Sequence, residues 1–251
     1  MAENRTVMPI NKDSLDPTSL ERIVPDEVRP GEASGQESLD LHIARYEFAK
    51  ANLTPGRLLD IACGSGYGTA ILSQHPLITE AVGVDLSDAA IQYATTRYGG
   101  ERVSFLCADA LNFRGTHLFD NIVSLETIEH VDDSRALFAH LVSLLTPGGR
   151  LIASVPVTPS VDANPHHKSN FSTKSFLRMG AEHSLEHLNS FDQVQRFSPI
   201  AIGLGRELRA EQLRKNLLAF YFQHPSHLIL RIWSTLRYGF ANRYLTVVWK
   251  K

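Results

Sequence analysis

Two groups of residues in this 251-residue chain combine types and spacing that suit chemistry. The first is Asp60-x-Ala62-x-Gly64-x-Gly66 running into Tyr67-Gly68, with Asp85 and Asp109 further along. Closely spaced glycines let backbone amides approach a ligand. The carboxylates add acceptors: Asp60 suits a cationic amino group, Asp85 a pair of ribose hydroxyls and Asp109 an adenine amino group. The second group is Glu126-Thr-Ile-Glu129-His130, followed by the pair His166-His167. If a helical turn begins at Glu126, residues 126, 129 and 130 share one face and gather two carboxylates and an imidazole. That mixture suits a divalent cation or a general base. A structural reading competes with each: glycine clusters serve as plain tight turns, and an Asp at a strand end caps the helix that follows.

The elements that would position these residues alternate. A helix is expected from Ser38, carrying Leu39, Ile43, Tyr46 and Leu53 at helical intervals and stopped by the Thr-Pro-Gly at 54–56. Short apolar runs at 57–64, 81–87, 103–109, 119–126 and 151–156 read as strands, with helical stretches at 67–75, 88–98 and 136–145 between them. This is the rhythm of a parallel α/β sheet, and it places the three Asp at successive strand ends. Beyond Pro156 come a loop with His and Asn, a helix at 175–183, a weak strand near 190–197, helices at roughly 204–219 and 226–238, and a closing strand at 244–249. The expected organisation is an irregular arm over 1–37 and one domain over 38–251, with acceptor-side and C-terminal helical elements at about 157–240.

Composition bounds the function classes. A 43% hydrophobic content against 21% charged gives a sizeable core. No apolar run is long enough for a membrane span, and the N-terminal Met-Ala-Glu-Asn-Arg stretch lacks a signal-peptide core, so a cytoplasmic protein is expected. Cys63 and Cys107 cannot build a disulfide framework. The formal charge of −2 argues against nucleic acid as a partner. From Arg206 onward, however, nine Lys/Arg face only Glu207 and Glu211, and eight aromatics are interleaved with them. That segment reads either as helices packing aromatics inward and Arg outward, or as a contact for an anionic membrane surface or a phosphorylated substrate.

A third Gly expected for a dinucleotide fingerprint is replaced by Thr69, and Asp60 would repel a pyrophosphate. Three acids at strand ends fit S-adenosylmethionine better. The ordered set Asp60-x-Ala62-x-Gly64-x-Gly66, Gly83-Val-Asp85-Leu86-Ser87, Ala108-Asp109-Ala110 and Thr146-Pro-Gly-Gly149 resembles the motifs of class I S-adenosylmethionine-dependent methyltransferases, over about residues 40–156. Ala62 departs from the pattern, since many members carry Gly there. The resemblance implies a Rossmann-like, mostly parallel seven-stranded sheet with helices on both faces and an antiparallel last strand. It also implies a methionine moiety over Gly64 and Gly66, ribose on Asp85, and adenine framed by Leu86, Asp109 and Ala110. His42-x-x-Arg45-Tyr46 on the preceding helix resembles a contact to the cofactor carboxylate or sulfonium, and Glu126 is a further cofactor contact. The Glu126-x-x-Glu129-His130 segment is similar to that of the ubiquinone-biosynthesis O-methyltransferases and of enzymes that methylate the terminal 2'-hydroxyl of small RNAs. By that resemblance Glu126, Glu129, His130 and His167, with His166 as alternative, would hold Mg²⁺ or another divalent metal; without metal, His130 acts as base beside Glu129. The expected activity is methylation of a hydroxyl on a small molecule, a sugar or phenol. The alternatives are nitrogen or carbon acceptors, an RNA 2'-hydroxyl, or a methyltransferase-like domain that binds without catalysis.

Overall fold

The computed structural model describes Pro25, residues 33–198, Arg214 and residues 216–251. Most of the expected arm over 1–37 and most of the expected helix over 204–219 lie outside the described residues; the last part of that arm, from Ala33, is helical. The first helix, α1 (Ala33–Ala51), starts earlier than Ser38. Gln36 donates to Asp40 one turn later at 2.8 Å, and such a pair supports a first turn that apolar periodicity does not mark.

Seven strands form one sheet. They are β1 (Gly56–Ile61), β2 (Ile78–Asp85), β3 (Val103–Cys107), β4 (Phe119–Leu125), β5 (Leu145–Pro156), β6 (Glu186–Arg196) and β7 (Ala241–Lys250). Their spatial order is β3-β2-β1-β4-β5-β7-β6, with β7 antiparallel to both neighbours and every other pairing parallel. This is the expected Rossmann-like sheet. The helices α2 (Tyr67–Ser73), α3 (Asp88–Tyr98) and α4 (Ser134–Ser143) make the crossovers, and α5 (Thr173–Glu182) precedes β6. Two further helices, α6 (Leu217–Gln223) and α7 (Pro225–Tyr238), lead into β7. Strand β5 begins at Leu145 because the Thr146-Pro-Gly-Gly149 turn sits within it as a bulge, between the pairs Phe119 with Leu145 and Asn121 with Arg150.

The central strands are covered on both sides, which is why they read as nearly continuous apolar runs. Ile122, Leu137, Phe138, Leu141, Phe176 and Trp249 fill one side. Leu39, Tyr46, Ala49, Leu53, Leu58 and Leu72 fill the other, so α1 is a core element. Chain order reverses between β1 and β4, and in open α/β sheets that reversal opens a crevice at the carboxyl ends of the strands.

Candidate functional site

Asp60 lies near the end of β1 with no exposed surface. Its Oδ2 accepts a 2.6 Å hydrogen bond from Thr69 Oγ1, while its Oδ1 makes none. Burial, opposed by the Thr69 hydroxyl, reinforced by the Asp85 charge and opposed again by the Tyr46 hydroxyl, pushes its pKa up to about 7. Two donors nearby are also incompletely used. The Arg45 guanidinium, only 2% exposed, leaves its Nη1 without a hydrogen bond, and the Tyr67 hydroxyl is buried without a partner. Tyr67 packs edge-on against Tyr46 with ring centroids 5.7 Å apart, and burial pushes both phenols well above their ordinary range. Arg45 is fixed on three sides: its Nε donates to Gln193 Oε1 at 2.7 Å, its Nη1 lies 3.4 Å from Glu126 Oε1, and its guanidinium stacks 4.6 Å from the Tyr244 ring.

The loop between β1 and α2 runs close to the sheet. Ala62 has φ 59 and Gly66 φ 82, both left-handed. A Cβ on Gly66 would come within 2.5 Å of the Ala94 methyl. The resemblance expects Gly at 62 for the same reason that Ala is strained there. The Gly64 N–H donates to Asp85 Oδ2 at 2.9 Å, and the Ser87 N–H donates to Asp85 Oδ1 at 2.9 Å. Asp85 therefore ties the glycine turn to the start of α3. A carboxylate carries about four acceptor sites, and the pair of oxygens suits a diol. Leu86, next to it, is 74% exposed at the mouth of the crevice. Asp109 is partly buried; it accepts from the Leu111 N–H at 3.0 Å and from Asn112 Nδ2 at 2.6 Å, and Ala110 lies between them in sequence.

The segment after β4 departs from expectation. Residues 126–130 form no helix; Glu126 adopts φ 50 and the His130 N–H returns to the Thr127 carbonyl at 3.0 Å. The three side chains do not share a helical face. Glu126 turns toward β5, where Ser154 Oγ donates to its Oε1 at 2.7 Å and its own N–H donates back to Ser154 Oγ at 3.0 Å. Its carboxylate thus serves Arg45, and Glu126 does not join the expected metal group. Glu129, His130 and His167 do come together, each offering a ligand atom within 4.8 Å of the others. Glu129 has no exposed surface, and the rings of His130 and His167 meet edge to face at 4.6 Å. The loop bearing His167 is held there by the Lys168 N–H, which donates to the Glu129 carbonyl at 2.7 Å. His167 Nδ1 lies 2.7 Å from Ser160 Oγ. His166 is not part of the cluster.

Sequence reasoning missed four residues here: Thr69, Ser154, Ser160 and Gln193. Thr69 was visible only as a missing Gly. Its place in the first turn of α2, directly after the glycine loop, is the signal that could have found it. The other three act from remote elements and carry no local signal.

A family model described as a methyltransferase domain matches residues 36–197. Phosphoethanolamine N-methyltransferase 1 of Zea mays is 29% identical over 198 residues, covering 74% of this chain and 39% of that protein. Trans-aconitate 2-methyltransferase of an Enterobacter species is 35% identical over 109 residues, covering 43% of this chain and 42% of that protein. The chain thus spans about two fifths of the length of these curated relatives. Among solved structures, N-methyltransferase NodS of Bradyrhizobium japonicum, in complex with S-adenosyl-L-homocysteine, superposes with a TM-score of 0.58 at 18% identity and covers 94% of this chain and 99% of that one. The cyclase SpnF does so with a TM-score of 0.59 at 18% identity, covering 89% and 85%. A fold shared with a cyclase shows that the architecture alone does not fix the chemistry.

Proposed function

The chain belongs to the methyltransferase-domain family, and from that premise we propose that it transfers a methyl group from S-adenosylmethionine to a hydroxyl of a small-molecule acceptor. The observation that carries the cofactor is a group of buried polar atoms with bonding capacity to spare: Asp60 Oδ1 and the Tyr67 hydroxyl, which make no hydrogen bond, and Arg45 Nη1, held only by the 3.4 Å ion pair to Glu126. One acceptor and two donors match the ammonium and carboxylate of an amino acid, and buried polar atoms without partners are otherwise costly. S-adenosylmethionine, when bound, supplies an electrophilic methyl on a sulfonium. Asp60 holds the amino group, Arg45 and Tyr67 hold the carboxylate, Asp85 takes the ribose hydroxyls, and Leu86 with Asp109 and Ala110 receives the adenine. Glu126 keeps Arg45 aimed.

His130 takes the acceptor proton. It stands one residue beyond Glu129, past the end of β4, with His167 and Ser160 behind it. One carboxylate and two imidazoles also fit a divalent cation, so Glu129, His130 and His167 would hold such an ion if one binds. That ion would lower the pKa of a coordinated acceptor hydroxyl. A second reading, an amine acceptor, draws on the likeness to the Zea mays N-methyltransferase over 74% of this chain.

Calorimetric titration with S-adenosylhomocysteine tests the cofactor. Gly64→Val and Asp85→Ala should each weaken binding by about 1–3 kcal/mol, and wild-type affinity in both variants would overturn the reading. Turnover of phenols, sugars and phosphorylated amines, each with and without EDTA, separates the acceptor readings. Loss of His130 should lower the rate by about 10²–10⁴. Full activity in EDTA with His167→Ala near wild type would exclude the metal.

A further inference from the structure

The helices before β7 are oriented the opposite way from an ordinary amphipathic pair. On α7 the side turned to the body is polar: Ser234 is buried, and His227, Arg231, Thr235 and Tyr238 are half-buried. The side turned outward is apolar, with Ile229 67%, Ile232 51%, Trp233 63% and Leu236 82% exposed at one-face helical spacing. On α6, Leu218 and Phe222 extend that stripe, 87% and 90% exposed.

An anchor enforces this orientation. Asp162, in the loop after β5 and fully buried, accepts from Arg231 twice, at 2.7 and 2.8 Å, and from the Tyr221 hydroxyl at 2.6 Å. Arg231 also donates to the Pro159 carbonyl, and Arg214 donates to the carbonyls of Val161 and Asp162. Burial alone would raise the Asp162 pKa, but the hydrogen bonds and charge of Arg231, with the Tyr221 hydroxyl, outweigh it and hold the carboxyl below its usual range. Rotating α7 to hide its apolar side would take the Arg231 cation away from this carboxylate and leave a buried charge uncompensated.

We propose that the outward stripe of α6 and α7 docks on the surface of a bilayer containing anionic phospholipid. The charge around the stripe selects this occupant. Helices α6 and α7 contain no Asp or Glu, and of their two Arg, Arg231 is taken up by Asp162, which leaves Arg237 as the cation on the outward side. Arg237 is exposed beside the stripe, its guanidinium 5.6 Å from the Trp233 ring. A second copy laid on the same face would set Arg237 against Arg237 with no acid on either helix pair to answer it, whereas anionic headgroups complement it and leave Trp and Phe at the depth they favour. No helix among the described residues is long and apolar enough to cross a membrane, so the contact is peripheral. The Asp162 loop also carries Ser160 and His167, and β7 begins opposite the carboxyl end of β5, with Tyr244 against Pro156. The docking face and the candidate site therefore hang on one loop.

Sedimentation of the full-length protein with vesicles tests this, using phosphatidylcholine alone and phosphatidylcholine mixed with phosphatidylglycerol. The protein should partition onto the mixed vesicles, weaken as salt rises, and show a blue shift in tryptophan emission, which comes from Trp233 because Trp249 is only 1% exposed. The triple substitution Ile229→Ser, Trp233→Ser, Leu236→Ser should cut partitioning at least about tenfold. Its melting temperature and S-adenosylhomocysteine affinity should stay unchanged, since none of the three is buried. Equal partitioning by the triple variant, or no partitioning by the wild type, overturns the proposal. So does a wild-type dimer that the triple variant makes monomeric, for then a second copy is the occupant.

Discussion

Gly68 packs against the ring of Tyr46, and a Cβ at that position would overlap the hydroxyl-bearing Cζ end of the ring. The first helix is thereby keyed to the first turn of α2, and Arg45, one residue before Tyr46, is aimed by the same contact. Gly68→Ala should displace the ring and destabilise the fold by about 1–3 kcal/mol, the usual cost of overpacking. Urea denaturation checks the stability, and titration with S-adenosylhomocysteine checks the loss of affinity that a displaced Arg45 would bring.

Asp60 should make cofactor binding depend on pH. With its pKa raised to about 7, the folded protein holds a proton between the ordinary carboxylate range and neutrality that the unfolded chain has released. Its contribution to stability therefore falls as pH rises through that window. A ligand ammonium favours the ionised form, so S-adenosylhomocysteine should bind more tightly as pH rises toward 7, by up to about tenfold per unit, and level off above. Asp60→Asn should abolish the slope. Affinity that is flat across this range in the wild type would contradict the assignment.

Ala62→Gly should stabilise the protein. The left-handed φ at Ala62 costs about 1–2 kcal/mol for a residue with a Cβ, and the added chain entropy of glycine offsets about 0.5–1 kcal/mol of that. A net gain of up to about 1 kcal/mol is expected by thermal or chemical denaturation. A loss would mean that the methyl packs against something that matters more than the backbone.

Arg231→Gln should unlatch α7. It leaves the Asp162 carboxylate buried and unpaired, at a cost of about 3 kcal/mol. Hydrogen exchange should accelerate in residues 217–238 before the sheet loses protection. Uniform acceleration across the whole chain would show instead that the anchor belongs to the global fold. The folded pKa of Asp162 is lowered, so the link is intact at neutral pH and above and is lost as pH falls below the ordinary carboxylate range.

The sheet was legible because its strands are bounded by Gly turns and its crossovers repeat, and Asp60, Asp85 and Asp109 were legible as strand-end acids for the same reason. Glu126 was not. Its one-face spacing with Glu129 and His130 holds only for a helix, and the partners that turn it away, Ser154 and Arg45, come from elements distant in sequence. Glu129, His130 and His167 still meet, because the loop after β5 is hydrogen-bonded to the Glu129 carbonyl. The tail shows a third limit. Periodicity reveals that α7 has an apolar side and a polar side, but which one faces the body is decided by a single acid, Asp162, in another element. The reading of aromatics packed inward and Arg outward is therefore reversed along α7, where Arg231 points in and Trp233 points out.

The hydrogen bond from Arg45 to Gln193 spans 148 residues, and Tyr244 lies further still. Synthesis runs from the N-terminus, so α1, the glycine turn and β1 to β4 leave the ribosome long before either partner exists. A nascent chain halted before β6 can pair its parallel strands, yet its guanidinium has nothing on one side to hold it and that wall of the crevice stays open. On the proposed role of Arg45, ligand capture waits for β6 and β7, and a product stalled before β6 should emerge with a folded nucleus that is blind to S-adenosylhomocysteine.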